Sequence, residues 1–185
     1  MLKIGIVGHL NLKENCIPFY KNKVYELLKS LKDKNHKILL YSSLADGADR
    51  LVIEVGMSLN IEYIAILPME KSLYMIDFNT KSKIKFNYLL KNAISVIEIP
   101  SVKKIVDKNL QYEKAGRYIS DNCDILIALW DGKYINLQGG TGETVQYYSK
   151  KAPFSLYHLL VSRSNDLTNN MVDFKLYNNK EKLWI

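Results

Sequence analysis

Six apolar residues follow one another without a break in Ile125-Leu-Ile-Ala-Leu-Trp130. A strand with one wet face alternates apolar and polar residues, so an unbroken run reads as a strand covered on both faces of a sheet. Leu2–Gly8, interrupted by Lys3, is a short β-branched run ending in glycine and also reads as a buried strand. Lys37–Tyr41, Ile61–Leu67 (ended by Pro68), Ile94–Ile99 (closed by Pro100) and Phe154–Val161 follow it. Between these runs the apolar period changes to that of a helix. Val24, Leu27, Leu28 and Leu31 share one helical face, as do Leu51, Val52, Val55 and Leu59, and then Ile84, Tyr88 and Leu89. Further helices are expected from about Asn109 to Asn122 and from Thr141 to about Lys151, with Met69–Thr80 irregular. Buried strands alternating with helices imply an α/β fold: a Rossmann-like, doubly wound, mainly parallel sheet with helices on both faces.

With 185 residues, 48% hydrophobic and 24% charged, the chain has room for one domain and a real core. We expect that domain over residues 1–161, with the Asn- and Lys-rich residues 162–185 as a C-terminal extension. The formal charge of +7 comes mostly from lysine, since Arg50, Arg117 and Arg163 are the only arginines. Scattered lysines read as a solvating surface, which ranks a nucleic-acid partner last. Cys16 and Cys123 make neither a disulfide framework nor a zinc site, and no metal or cofactor is expected. The first apolar run, Ile4–Val7, is too short for a signal peptide or membrane span, so a cytoplasmic protein is expected.

In a doubly wound fold, ligands bind outside the carboxyl ends of the strands. The first such loop opens with Gly8 and His9 and lacks both the dinucleotide fingerprint and the P-loop lysine motif. His9 stands open between a ligand donor and a turn residue. The second loop runs from Ser42 to Arg50 and places Ser43, Ala45, Gly47 and Ala48 at a helix mouth, where free amides and the helix dipole favour an anion. Asp46 suits a helix cap there, and Asp49 an acceptor for ribose hydroxyls. Arg50 suits an ion pair with Glu54 one turn on, ahead of a phosphate contact. The third loop ends at Pro68. The fifth holds Trp130, Asp131 and then Gly139-Gly140-Thr141-Gly142-Glu143, whose glycines and hydroxyl suit a backbone cradle for phosphate. Glu143 is either a first-turn carboxylate favoured by the dipole or a ligand-binding group. On the preceding helix Gly116 costs about 1 kcal/mol against alanine, which a close approach there would explain. Arg117 is either a bidentate phosphate ligand or an exposed residue.

Taken together, Leu44-Ala-Asp-Gly-Ala-Asp-Arg-Leu51, Ile66-Leu-Pro68 with Tyr74 and Asp77-Phe78, Tyr112-Glu-Lys-Ala-Gly-Arg-Tyr118, Cys123–Gly132 and Gly139–Glu143 resemble the SLOG superfamily. That group holds Rossmann-like domains related to the "lonely guy" phosphoribohydrolases and to DNA-processing protein A. The resemblance covers the chain up to about Val161. It implies binding of a nucleotide or nucleotide-derived ligand at this strand edge, including cyclic or ADP-ribose-type second messengers sensed in bacterial antiphage systems. It also implies a homodimer.

The enzymes of that group carry Pro-Gly-Gly-x-Gly-Thr-x-x-Glu. Here Glu143 follows Thr141 too soon, Trp130-Asp131 stands where Pro-Gly-Gly would begin, and Glu113-Lys114 replaces Glu-Arg. These departures favour sensing or binding over catalysis. The alternative is a nucleoside 5′-monophosphate phosphoribohydrolase, with Glu143 as base or oxocarbenium stabiliser and Arg117 on the 5′-phosphate. In the binding reading, phosphates meet Gly139–Thr141 and the helix near Gly47, Asp49 or Glu143 takes ribose hydroxyls, and Trp130 or Tyr134 stacks on a base.

Overall fold

A computed structural model describes residues 1–101, 107–151, 155–178 and 183–184. Phe154, the expected start of the last strand, lies outside the described residues. So do residues 102–106 of the polar loop after Pro100, and parts of the C-terminal extension.

The apolar runs form parallel strands β1 (Leu2–Gly8), β2 (Ile38–Ser42), β3 (Glu62–Leu67), β4 (Ser95–Glu98), β5 (Ile125–Trp130) and β6 (Leu156–Leu160). Their order across the sheet is β4-β3-β2-β1-β5-β6, continued by the antiparallel strands β7 (Lys175–Asn178) and β8 (Leu183–Trp184). Six parallel strands covered by helices make the α/β, Rossmann-like fold expected from the sequence. The helices are α1 (Ile17–Lys34), α2 (Ala48–Ser58), α3 (Lys71–Tyr74), α4 (Thr80–Asn92), α5 (Lys108–Asn122) and α6 (Thr141–Lys151).

Side chains alternate across each strand, and the two faces build separate cores. Ile4, Ile6, Ile127 and Leu129 join α1, α2 and α4 in one cluster. Val7, Leu126, Ala128 and Trp130 meet Ala115 and Ile119 of α5 and Val145 and Tyr148 of α6 in the other.

The irregular stretch expected from Met69 holds α3 and a 3-10 turn at Met75–Asp77, both too short to show an apolar period. Helix α4 begins four residues before Ile84, because Asn79 caps it by accepting from the Ser82 amide at 2.9 Å. Residues after Val161 are bonded into the body. Tyr20 Oη accepts from the Ser162 amide at 2.7 Å and donates to the Asn170 carbonyl at 3.0 Å, while Leu12 bridges to Arg163.

Sheet order reverses beside β1, which lies between β2 and β5. At such a switch point the neighbouring connections leave for opposite faces and open a crevice above the strand ends. Among the described residues, no helix is long and apolar enough to cross a membrane.

Candidate functional site

A cavity of about 570 Å³ fills that crevice. Loops 8–11, 43–49 and 137–142 converge on it from separate parts of the sequence. The sequence-predicted residues Gly8, His9, Ser43, Ala45, Asp49, Trp130, Gly139, Gly140, Thr141 and Gly142 all line its wall. Six others lie elsewhere. Gly47 and Ala48 are packed under the first loop, the Ala48 amide donating to the His9 carbonyl at 3.0 Å. Pro68 is buried, its carbonyl accepting from Gln111 Nε2 at 2.9 Å. Asp131 faces a smaller adjoining chamber. Arg117 is half exposed, pairs with Glu113 and lies over the Tyr147 ring. Glu143 turns back on its own loop, where Oε2 accepts from the Gly139 amide at 2.6 Å.

The amides expected to cradle phosphate are distributed differently from the sequence reading. In the second loop, Asp49 occupies the position intended for a ligand anion. Its carboxylate accepts from Ser42 Oγ at 3.0 Å, from the Ser43 amide at 3.1 Å and from the Ala45 amide. Burial pushes this carboxyl up to about 7, against the pull of those donors. Asp49 thus braces the loop from within. In the fifth loop, the Gly139 amide goes to Glu143 and the Gly140 amide to the Leu137 carbonyl at 3.0 Å. The amides left over belong to Thr141 and Gly142, which open α6 and have no intrahelical acceptor. Gly139 supports this arrangement through its backbone. Its φ is +76°, and a Cβ there would stand 2.5 Å from the Asn109 carbonyl oxygen.

Asp46 does not cap α2, whose N-cap Gly47 makes no side-chain capping bond. Its carboxylate accepts from Ser82 Oγ at 2.7 and 2.8 Å and pairs with Arg50 Nη1 at 2.5 Å. Arg50 is 2% exposed and bonds neither Glu54 nor a ligand position. It donates to the Leu44 carbonyl at 2.8 Å and to Ser82, and lies 4.6 Å from the centroid of Phe78 and 5.7 Å from that of Phe86. Glu54 pairs instead with Lys21 and Lys85 on the surface.

Several lining residues were not singled out as ligand-binding from sequence. Tyr74, Asp77 and Phe78 come from the α3 region, and Asn109 and Tyr112 from the start of α5. Tyr112 donates to Asp77, which also pairs with Lys108; burial, then that bond, raises the phenol above its usual range. Lys133 and Arg163 supply positive charge from the opposite side. Tyr74, Asp77 and Phe78 were visible as motif residues, whereas nothing periodic marks Arg163.

The cavity is therefore polarised along the sheet. Carboxylates Asp46, Asp49 and Asp77 and the rings of Tyr74 and Phe78 come from the segments after β2 and β3, and Tyr112 reaches Asp77 from α5, beside the Gly139 loop. Over the β5–β6 side are the first amides of α6 with Lys133 and Arg163. His9 stands between them, its Nε2 3.0 Å from Asp131 Oδ1.

No protein-family model matches the chain, and no curated protein matches it. Among solved structures, it is similar to DNA processing protein A from Helicobacter pylori, whose structure addresses single-stranded DNA binding. The two share 18% identity, with 91% of this chain and 68% of that one covered at a TM-score of 0.56. It is also similar to DNA processing protein A from Streptococcus pneumoniae, at 14% identity and a TM-score of 0.49, covering 84% of this chain and 58% of that one. The chain has a Rossmann-like fold similar to that of DNA processing protein A from Helicobacter pylori.

Proposed function

We propose that the chain binds a nucleotide or nucleotide-derived small molecule in the crevice above β1 and β5. The supporting observation is the cavity's polarity. One end offers helix-terminal amides, Lys133 and Arg163 to phosphate, and the other offers carboxylates and aromatic rings to ribose hydroxyls and a base. Glu143 is committed to Gly139 and Arg117 lies outside the cavity, so the geometry supports binding over N-glycosidic hydrolysis. Sensing of a signalling nucleotide is the finer form of this proposal, drawn from the SLOG resemblance.

Thr141→Asp tests the reading. A carboxylate in the first turn of a helix suits the dipole, so the fold should hold. The same charge repels a phosphate seated on that turn. Calorimetric titration of the full chain with AMP, ADP and cyclic nucleotides should show binding to the wild type and at least about a tenfold loss in the variant, or about 1.4 kcal/mol. No binding by any of these to a folded wild-type sample would overturn it.

The second reading is single-stranded nucleic acid, its backbone phosphates on the same turn. The net charge of +7 and the Helicobacter pylori neighbour favour it. A mobility shift that weakens steeply with salt would identify it.

A further inference from the structure

Helix α4 turns only part of its surface toward the sheet. Phe86 and Leu89 are buried in the core shared with α1 and α2, and Ser82 is buried against Arg50. On the opposite side Ile84 is 69% exposed and Tyr88 60%, one helical turn apart. The solvated face of a surface helix ordinarily carries polar residues at such positions.

Strand β4 extends this surface. It pairs only with β3 and ends the sheet. Val96 stands beside Ala65, which belongs to the core under α4, so Val96 and, two residues before it, Ile94 point to the same face as that helix. They are 43% and 54% exposed. Tyr63, the neighbour of Ile94 on β3, donates from its hydroxyl to the Leu89 carbonyl and ties α4 to this edge. Four apolar side chains thus share one flank of the molecule.

The charge on α4 has one sign. The helix carries Lys81, Lys83, Lys85 and Lys91 and no carboxylate. Lys85 pairs with Glu54, and among the described residues the other three lysines have no ion-pair partner. Glu98, at the far end of β4, accepts from the Lys71 amide at 3.0 Å. Apolar side chains standing out among unpaired lysines fit an anionic partner with apolar depth beneath its charge. A bilayer offers both in any register, whereas a protein groove must match pockets and carboxylates to each side chain. Tyr88, a ring with a polar tip, suits the depth of the headgroups.

We propose that the chain docks on an anionic lipid surface through α4 and the edge of β4. Ile84 and Tyr88 enter the headgroup layer, and Lys81, Lys83 and Lys91 meet the anionic groups of the lipids. The helix lies on the membrane and does not cross it. None of these residues lines the crevice, so the proposal stands apart from the nucleotide reading.

Co-sedimentation of the full chain with vesicles tests this, using phosphatidylcholine alone and equal parts of phosphatidylcholine and phosphatidylserine. Binding to the mixed vesicles should be at least about fivefold tighter than to the neutral ones and should weaken as salt is raised. Ile84→Ser combined with Tyr88→Ser leaves the net charge unchanged and should weaken binding at least about fivefold. Lys91→Glu should weaken it to a similar degree. Lys150→Glu, the same charge change at an exposed position of α6 on the other face of the sheet, should alter it by less than about twofold. This pair of lysine variants serves if the double variant fails to melt cooperatively. No binding of the folded wild type to the mixed vesicles, equal binding to both kinds, or equal losses in Lys91→Glu and Lys150→Glu would overturn the proposal. Retention on polyglutamate without vesicle binding, abolished by Lys91→Glu, would overturn it in favour of an acidic protein.

Discussion

Glu143 closes a ring with Gly139, its carboxylate 2.6 Å from the amide four residues before it. That bond fixes the loop against the first turn of α6 and leaves Thr141 and Gly142 as the open amides. Glu143→Ala should therefore loosen the loop and weaken AMP binding several-fold, with a stability loss of about 1–2 kcal/mol for the lost charge-assisted bond. Arg117→Ala, on an exposed side chain outside the cavity, should leave affinity unchanged. Parallel titrations of the two variants check the contrast.

Arg50 is a buried cation with acceptors on three sides: Asp46, the Leu44 carbonyl and Ser82. A lysine there keeps the charge but loses the fork and the planar contact with Phe78. Arg50→Lys should cost about 2–4 kcal/mol in denaturant unfolding, in line with other buried charges left partly unpaired. It should also weaken ligand binding, since Asp46 and Phe78 are walls of the cavity.

Helices α5 and α6 touch at Gly116, where an added Cβ would stand 2.4 Å from Thr144 Oγ1 and 3.2 Å from its Cγ2. Gly116→Ala alone should destabilise by about 1–3 kcal/mol through overpacking. Thr144→Ala removes both clashing atoms, so the double variant should recover part of that loss. A double-mutant cycle by thermal melting measures the coupling, and strict additivity would contradict the contact.

Burial raises Asp49 to about 7, above its usual carboxylate value. The folded chain then holds a proton that the unfolded chain has released, so the unfolded state binds fewer protons between about pH 4 and 7. Stability contributed by this group is accordingly present at low pH and falls as pH rises through that window, by about 1.4 kcal/mol per unit of displacement. Comparing stability against pH for the wild type and Asp49→Asn should show the wild type losing ground as pH rises from 4 to 7.

The fold was legible because its signal is local. An unbroken apolar run marked β5, mostly apolar runs broken by occasional polar residues marked the other parallel strands, Gly8 marked the end of β1, and Gly139–Gly142 marked the start of α6. Side-chain pairing was less legible wherever the partner is remote. Arg50 was read against Glu54 by helical spacing, but its partner Ser82 and its ring neighbours Phe78 and Phe86 lie about thirty residues on and become neighbours only through the β3–α4 connection. Asp49 and Glu143 are acidic residues beside donor-rich loops, a pattern that a ligand site and a self-bonded loop share. Arg163 follows the last parallel strand in a segment without periodicity, and the Leu12 bridge, with the Ser164 amide on the Asn11 carbonyl and the Lys13 amide on the Ser162 carbonyl, brings it to the first loop.

Gly47, at φ +78°, lies so close beneath the first loop that a Cβ would stand 2.1 Å from the Leu10 carbonyl oxygen and 2.5 Å from that of His9. With the Ala48 amide also bonded to His9, the first loop and the start of α2 are riveted into one block. One jaw of the crevice is therefore an anvil that cannot yield in parts. The opposing wall, residues 132–138, is exposed throughout, so if the crevice binds as proposed, adjustment to ligands of different width is expected on that side.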